Sequence, residues 1–296
     1  METELQFKTI PAASYKDIKR YYDVAGDDYE FWSKEFNMHF GYYRRWTNPF
    51  NRGQMLNEMN KVVLSELHLS PSGTHKILDL GCGLGTTVRY ACNMFPLAEA
   101  LGVTIVPSQV EKANRLTKLA GLERQAAFLI GDYTCLPFLN DSVDGVYAIE
   151  SSCYATGSQR QELIGEMHRM LKPGSRFAIA DGFLKQPISP KGFLRSCYDK
   201  ICRNWALTEF PQIADTLNTL KETGFRNISA KDISWNVAPS FAHIPFVSAK
   251  FLLHHFFSGS KKLEDERKGN MLAPLYGMAL GLHRNYFGYY IISGEK

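Results

Sequence analysis

The chain has 296 residues, a formal net charge of +4 and an isoelectric point of about 8.6. This length is enough for one large α/β domain with a cap, or for two small domains. Hydrophobic residues make up 45% and charged residues 22%, as expected for a folded globular protein. The basic residues cluster only in short pairs such as Arg44-Arg45 and Lys261-Lys262, which argues against a nucleic-acid partner.

The N-terminal part is predicted to be helical. Apolar side chains recur three and four residues apart, which places them on one helix face, and Gly26 and Asp27 predict a break within it. The residues of this face are Ile18, Tyr22, Ala25, Tyr29, Trp32 and Phe36. A loop is expected at residues 38–43, and a second helix from about Arg52 to Leu67.

Strands then alternate with helices along most of the remaining chain. Strands are predicted at residues 76–80, 100–106, 126–130, 143–149, 176–180, 228–233 and 287–292. This order predicts an α/β fold with a Rossmann-like, seven-stranded, mostly parallel sheet, helices on both faces and a helical cap. We expect a helical lid at residues 1–55, a Rossmann-like core at 56–235, and a cap insertion with the final strand at 236–296.

The helices between these strands carry recognisable ends. They are predicted at residues 86–95, 108–121, 159–171 and 210–223. Ser108 and Glu111 suggest a capping box at the start of the second, and Gly121 closes it. An irregular segment is expected from strand five to about Arg203. The roughly fifty residues between strands six and seven read as a helical, apolar lid.

The cysteines and the most apolar stretch bear on the location of the protein. The six cysteines include no C-x-x-C pair, so we expect reduced thiols in a cytoplasmic protein. Residues 1–4 are acidic and lack the apolar core of a secretory signal. Residues 241–257 are apolar but short and contain Lys250 and three histidines, which predicts no membrane span and leaves contact with a lipid surface open.

A glycine-rich turn follows the first strand. Gly81, Gly83 and Gly85 form a G-x-G-x-G pattern before a helix, where glycines let the backbone approach a ligand and the helix start offers free N–H groups. A dinucleotide-binding turn would place its third glycine one residue later. Asp79, just before the turn, suits the ammonium group of an amino acid better than a pyrophosphate. A plain tight turn is the alternative.

This stretch resembles motif I of the class I S-adenosylmethionine-dependent methyltransferases, which implies S-adenosyl-L-methionine as cofactor. Residues 102–109 read G-x-T-x-x-x-x-Q, with Thr104 where most members carry an acidic residue. The pattern is similar to the subgroup of sterol C-methyltransferases, tocopherol methyltransferases and cyclopropane fatty acid synthases. In that subgroup the matching residues, here Thr104 and Gln109, contact the ribose. An ordinary first-turn helix residue is the alternative for Gln109.

Three further segments extend the resemblance, which covers about residues 14–235. It implies that Asp132 accepts from the adenine amino group and that Tyr133 flanks the ring. A turn residue is the alternative for Asp132, and the ordered context favours the ligand role. It also implies that Tyr22, in a Tyr-Tyr-Asp lid motif, reaches the cofactor carboxylate, whereas core packing is the alternative for the other aromatics of that helix. Residues 144–154 resemble strand four of sterol C-methyltransferases, except that Tyr154 replaces a usual His.

The candidate catalytic residues are Glu150, Tyr22 and His39. Glu150 ends strand four at the carboxyl edge of the sheet, where such folds bind ligands, and is expected to contact the cofactor as well as the reacting acceptor, as a base or as support for a cation. The alternative for Glu150 is a structural role that holds the N-terminal segment. No metal site is expected, because the adjacent His254 and His255 diverge on a helix.

These observations predict a methyltransferase that acts on a carbon of a lipophilic small molecule, isoprenoid or sterol-like, through a carbocation. Methyl transfer to nitrogen, oxygen or an aromatic carbon of a small natural product is the alternative, and a cofactor-binding protein without catalysis is a third hypothesis. The apolar insertion suits a greasy acceptor, a homo-oligomer interface or peripheral membrane contact. Four basic residues are candidates for a diphosphate group, namely Arg195, Arg203, Lys250 and Arg284.

Overall fold

The computed structural model describes residues 14–155, 157–188, 191–257 and 265–296. Its centre is a sheet of seven strands: β1 (Lys76–Leu80), β2 (Glu99–Thr104), β3 (Ala126–Ile130), β4 (Val143–Ile149), β5 (Leu171–Leu184), β6 (Arg226–Asp232) and β7 (Phe287–Glu295). The strand order is β3-β2-β1-β4-β5-β7-β6, with β1 to β5 parallel and β7 antiparallel to both neighbours. The predicted fold class is therefore confirmed.

Eleven α-helices lie in the described residues. They are α1 (Tyr15–Ala25), α2 (Tyr29–Trp32), α3 (Arg52–Ser65), α4 (Thr86–Met94), α5 (Pro107–Leu119), α6 (Ser158–Met170), α7 (Phe193–Asn204), α8 (Ile213–Thr223), α9 (Ser234–Phe241), α10 (Ile244–Phe257) and α11 (Asp265–Leu282). The predicted break between α1 and α2 is a short 3₁₀ turn at Gly26–Asp28.

The sheet is covered on both faces because alternate residues of its strands point to opposite sides. In β1, Ile77 joins a core cluster with α3 and α4, whereas Leu78 and Leu80 join a second cluster with α6 and α8. The same alternation continues in β4, where Tyr147 belongs to the first cluster and its neighbours to the second. Near-continuous apolar runs in the sequence thus reflect strands that are buried on both faces.

The cap combines three segments that are distant in sequence. The Tyr21 hydroxyl in α1 donates to Asn270 Oδ1 in α11 at 2.6 Å, and Phe31 in α2 packs edge-on against Phe251 in α10. The helix α7 packs against α11, with Ile201 buried in a third apolar cluster. The cap therefore combines α1 and α2, the helix α7 and the insertion that holds α10 and α11, while the predicted domain boundaries stay predictions.

Two local predictions were wrong. Residues 193–204, expected to be irregular, form α7, whose buried Tyr198 and Ile201 pack into the cap and stabilise a helix that the sequence pattern did not reveal. The Ser108 capping box is absent because Pro107 occupies the first helical position of α5 and makes Val106 the N-cap. The Ser108 hydroxyl instead donates to Asp23 Oδ1 at 2.6 Å.

Candidate active site

A cavity of about 90 Å³ opens at the carboxyl ends of the central strands β1 to β4. Nearly all the residues expected to bind the cofactor line it: Tyr22, Asp79, Gly81, Gly83, Thr104, Gln109, Asp132, Tyr133 and Glu150. Gly85 does not line the cavity; it is the N-cap of α4, and a Cβ there would collide with the ring of Phe128. Gly85 instead allows α4 to pack closely on the sheet.

The glycine turn leaves no room for side chains at its two cavity positions. Gly81 has φ +92° and Gly83 has φ +51°, in the left-handed region that favours glycine. A Cβ at Gly81 would collide with Ser151, and one at Gly83 would lie 2.9 Å from the Met38 sulfur. The backbone N–H groups of Gly81 and Cys82 both donate to Val103 O at 2.9 Å, which ties the turn to β2.

Asp79 is a buried carboxyl group at the floor of this cavity, with 4% of its surface exposed. Burial raises its pKa to about 8, against a smaller lowering by the Tyr147 hydroxyl. A carboxyl group in such a place is costly to ionise until a cation approaches it, so the site fits a positively charged group such as the ammonium of a bound amino acid.

The second strand brings Thr104 and Gln109 together. The Thr104 hydroxyl donates to Gln109 Oε1 at 2.7 Å and accepts from the Val106 N–H at 3.2 Å. Both side chains are about 95% buried and line the cavity, where they present a hydroxyl and an amide to a polar ligand. Thr104 and Gln109, which the sequence pattern singled out, therefore form one contiguous polar patch in the cavity.

Asp132 and Tyr133 lie beside them after β3. Asp132 Oδ2 accepts from the Tyr15 hydroxyl at 2.5 Å, and Oδ1 accepts from the Thr134 N–H and hydroxyl at 2.9 and 2.7 Å. These bonds hold the pKa of Asp132 below its ordinary value despite partial burial. The Tyr133 hydroxyl donates to Ser151 O at 3.0 Å, which fixes the ring in the cavity wall.

A second, larger cavity of about 160 Å³ lies between the sheet edge and the cap. Most of its lining is apolar or aromatic, with contributions from α2, α7, α10 and α11. Five side chains line both cavities and so form the wall between them: Tyr22, Met38, His39, Glu150 and Tyr154. All three candidate catalytic residues belong to this shared wall.

Glu150 occupies the shared wall in an unusual backbone conformation. Its φ is +49°, a left-handed value that costs a non-glycine residue about 1–2 kcal/mol, and its N–H donates to Ala180 O at 2.8 Å. The side-chain Oε1 accepts from the Phe40 N–H and from the Tyr289 hydroxyl, both at 2.7 Å. Burial raises the pKa of Glu150 to about 8, and the nearby Asp181 adds to this rise.

Tyr22 and Tyr154 form a hydrogen-bonded pair in the same wall. Their hydroxyl oxygens are 2.9 Å apart, and Tyr154 also donates to Trp205 O at 3.1 Å. Because Tyr154 donates its hydroxyl proton to Trp205 O, Tyr22 is the donor in the hydrogen bond between the two tyrosines. Tyr22 can therefore donate to a cofactor carboxylate only by turning away from Tyr154.

His39 is held by the protein on both sides of its ring. Nδ1 lies 2.9 Å from Phe40 O and Nε2 lies 2.8 Å from Asn60 Oδ1. Burial lowers its pKa, which favours the neutral ring. Because both ring nitrogens lie within hydrogen-bond distance of protein oxygens, and a neutral ring donates to only one of them, the geometry favours a role in shaping the loop at residues 37–40 over that of a general base.

Sequence reasoning missed three site residues. Asp181, 2% exposed, accepts from the Ser152 hydroxyl and from the Cys153 and Gly182 N–H groups, and burial raises its pKa to about 6. Asp181 was missed because it lies within the long strand β5. An Asp directly after an apolar run is nevertheless a pattern that could have indicated a site residue. Tyr289 and Met38 gave no signal, because only the tertiary structure brings them to Glu150 and to the glycine turn.

The cap cavity has more acidic than basic side chains in its described lining. It is lined by Asp28, Glu150 and Asp181, and its one guanidinium among the described lining residues is that of Arg267. Arg267 binds Asp28 through two bonds of 2.6 and 3.0 Å.

The four basic residues proposed for a diphosphate lie elsewhere. Arg195 pairs with Asp199, Arg284 pairs with Asp232, and Arg203 and Lys250 are exposed. Within the described ranges, no group of three or more His, Cys, Asp or Glu side chains is placed to hold a metal ion. No described helix is long and apolar enough to cross a bilayer.

Comparisons with known proteins agree with this geometry. A family model described as a methyltransferase domain matches residues 77–174. A cycloartenol-C-24-methyltransferase of Arabidopsis thaliana is 30% identical over 250 residues, which is 82% of this chain and 70% of that protein. The chloroplastic tocopherol O-methyltransferase of the same plant is 27% identical over 307 residues, with 97% and 84% of the two chains covered.

Solved structures share the whole fold at low sequence identity. A cyclopropane synthase from Mycobacterium tuberculosis has a TM-score of 0.79 at 16% identity, covering 97% of this chain and 99% of that one. The geranyl diphosphate C-methyltransferase of Streptomyces coelicolor A3(2) has a TM-score of 0.70 at 16% identity, with the same coverage. By its sequence relatives and its glycine turn, the chain belongs to the class I S-adenosylmethionine-dependent methyltransferases, and its cofactor is S-adenosyl-L-methionine.

Proposed function

We propose that this methyltransferase acts on a carbon of an uncharged lipophilic acceptor, isoprenoid or sterol-like, through a carbocation. The observation that carries the proposal is the position of Glu150. Its carboxyl group lies in the wall shared by the cofactor cavity and an apolar, aromatic-lined cavity. A group there is within reach of an acceptor that receives a methyl group across the wall.

The proposed cofactor contacts use the residues of the smaller cavity. Asp79 would hold the ammonium group of the methionine moiety, and Tyr22, once turned from Tyr154, its carboxylate. Thr104 and Gln109 would bind the ribose hydroxyls. Asp132 would accept from the adenine amino group and Tyr133 would flank the ring. The Gly81 and Gly83 backbone would let the ligand approach the sheet edge closely.

Residues of the chain can then stabilise the positive charge that methylation creates and remove the proton that is lost afterwards. When bound, the cofactor supplies an electrophilic methyl group. Methylation of an alkene leaves a positive charge on the acceptor, which the rings of Tyr22, Tyr154 and Tyr289 are placed to stabilise by cation–π contact. Glu150 takes the proton whose loss restores a double bond, and positive charge beside it favours its ionised form.

The charge of the cavity supports a neutral acceptor over a diphosphate. Three carboxyl groups line the cap cavity, and its one described guanidinium is already bound by Asp28. A diphosphate would add two or more negative charges to this site without a described cation or metal site to balance them.

A second candidate is transfer to an oxygen or to an aromatic carbon of a small phenolic acceptor. It is favoured by the tocopherol O-methyltransferase relative, which matches 97% of this chain. Glu150, with a pKa raised to about 8, would serve as a base for a phenol as well. Transfer to an amine nitrogen has less support, since most of the lining of the cap cavity is apolar or aromatic.

The test combines an acceptor panel with one substitution. Purified enzyme and methyl-labelled cofactor are incubated separately with cycloartenol, a tocopherol, geranyl diphosphate and sarcosine. We expect label in the alkene of the sterol and none in geranyl diphosphate. Glu150→Gln should lower kcat about a hundredfold or more, since it removes the base but keeps the shape, while the Kd for S-adenosylhomocysteine changes little.

Two matched variants complete this experiment. Glu99→Gln removes an exposed carboxylate at the far end of β2 and should retain full activity. Tyr289→Phe removes one donor to Glu150, so it should raise the pKa of Glu150 and move the pH–rate profile to higher pH. Methylation of sarcosine alone, or unchanged sterol methylation in Glu150→Gln, would refute the proposal.

We also propose a cytoplasmic location. All six cysteines are free thiols, five of them buried, which suits a reducing compartment. The predicted homo-oligomer stays a prediction.

A further inference from the structure

Helix α10 is apolar on two opposite sides. On its inner side Ile244, Val247 and Phe251 line the cap cavity, and Ile244 and Phe251 are at most 5% exposed. On its outer side Phe246, Leu253 and Phe257, spaced seven and four residues apart, form one stripe with Phe256 beside it. These four side chains are 58–79% exposed.

A helix on the surface of a water-soluble domain normally turns a polar face outward. The outer stripe of α10 does the opposite, and its exposure to water is unfavourable unless something covers it. Its 14 residues give a length of roughly 21 Å, too short to cross a bilayer of about 30 Å but sufficient to lie in its surface.

A neighbouring loop adds two more exposed aromatic rings. Residues 43–50 are fastened to the cap at both ends, because the Tyr43 N–H donates to Asn236 O at 2.7 Å and His243 Nε2 lies 2.8 Å from Pro49 O. Between these anchors Trp46 is 87% exposed and Phe50 is 86% exposed. We call Trp46, Phe50, Phe246, Leu253, Phe256 and Phe257 the apolar patch.

The two segments that carry the apolar patch contain basic but no acidic residues. Lys250 is exposed on α10, and the Arg45 guanidinium lies 4.8 Å from the ring centre of Trp46. Residues 39–57 and 234–257, which carry the patch, contain no Asp or Glu. Aromatic rings with basic neighbours complement the surface of a bilayer that contains anionic lipids. A two-fold contact between two copies would instead bring like charges together.

We propose that the apolar patch docks on an anionic lipid bilayer and that α10 is the element between the bilayer and the acceptor cavity. A lipophilic acceptor then passes from the bilayer into the cavity without crossing water. The route rests on the proposed function, whereas the docking itself does not, because vesicle binding requires neither acceptor nor turnover.

Docking is tested by flotation of the full-length protein with phosphatidylcholine vesicles, with and without phosphatidylserine. We expect binding that is strengthened by phosphatidylserine and weakened by salt. The double variant Phe256→Ser/Phe257→Ser should weaken binding about tenfold or more, because it removes two large apolar side chains from the contact. Lys250→Glu should abolish the preference for phosphatidylserine.

The matched control is Leu139→Ser, which removes an equally exposed apolar side chain (80%) far along the chain from the patch and should bind vesicles as the unmodified protein does. Binding of S-adenosylhomocysteine by each variant verifies the fold. Absence of vesicle binding by the unmodified protein would overturn the proposal. So would a dimer in solution that Phe256→Ser/Phe257→Ser dissociates, since the patch would then be covered by a second copy.

Discussion

At the scale of single residues, two buried carboxyl groups are the most strongly perturbed acids of the candidate site. Asp79 and Glu150 lie at the ends of adjacent strands, and burial raises the pKa of each to about 8. Strongly shifted groups of this kind concentrate at functional sites. Asp79 lines the cofactor cavity only, whereas Glu150 lines both cavities, which is why we propose cofactor binding for Asp79 and chemistry for Glu150.

Asp79→Asn should weaken binding of S-adenosylhomocysteine roughly ten- to a hundredfold, the cost of a lost charge-assisted contact. In the unmodified enzyme Asp79 must lose its proton to bind the ammonium group. Affinity should therefore rise by up to tenfold per pH unit as the pH approaches about 8, and then level off. Calorimetric titration across this range checks the slope, which Asp79→Asn should remove. A steep slope that persists in the variant would assign the proton to another group.

The same pKa has a consequence for stability. The pKa of Asp79 is raised in the folded protein, so the unfolded chain ionises first as the pH rises from the ordinary Asp value of 3.8 towards 8. The folded state therefore binds more protons in this window, and this group makes the protein less stable as the pH rises through it. Function and stability are thus opposed at this residue.

At the scale of elements, the N-terminal helix α1 covers the Asp132 end of the cofactor cavity. Ser14 caps α1 with a capping box to Asp17, and the next residue, Tyr15, donates to Asp132. A cap of this kind contributes about 1 kcal/mol to a helix. The position of Tyr15 over the cofactor site therefore depends on a local feature at the start of α1.

Ser14→Ala should fray α1 without unfolding the core. A loss of about 1 kcal/mol corresponds to roughly fivefold more opening, so limited tryptic cleavage after Lys16, Lys19 and Arg20 should accelerate by about that factor. The overall melting temperature should stay unchanged. Ser72→Ala, which alters an exposed serine in a turn, is the control and should leave these cleavage rates as they are. Equal cleavage of Ser14→Ala and the unmodified protein would show that α1 is held by its packing alone.

The helices of the cap were only partly predictable from the sequence. Helices α9, α10 and α11 were expected from apolar composition and length, whereas α7 was missed. The difference is physical: α10 is apolar throughout, while α7 mixes Arg195, Asp199 and Lys200 with its buried residues and owes its stability to packing against α11.

At the scale of the whole molecule, an ion pair joins the two ends of the chain. Arg267 in α11 binds Asp28 in the turn after α1, and the Asp28 side chain is only 9% exposed. Removal of one partner from a partly buried pair leaves a charge unbalanced, whereas removal of both is far less costly. The pair thus links the N-terminal segment to the cap insertion over the acceptor cavity.

Arg267→Met should lower the melting temperature by roughly 5 °C, and the double variant Asp28→Asn/Arg267→Met should recover most of that loss. Scanning calorimetry of the two variants measures both effects. The control Arg44→Met breaks an ion pair whose Arg side chain is 58% exposed, and should shift the melting temperature by about 1 °C or less. A double variant as unstable as Arg267→Met would mean that the Arg side chain stabilises the cap by packing, not by charge.

The sequence by itself determined the strand order along the chain, the glycine turn and the cofactor, because these depend on local periodicity and on residue types at fixed spacing. Only the tertiary structure decided how Glu150 is held, since its partners Phe40 and Tyr289 are 110 and 139 residues away. It also decided that Tyr22 bonds to Tyr154 and that Asp181 joins the cavity. Contacts of this kind arise when distant segments bury their apolar faces together, and no local pattern in the chain records them.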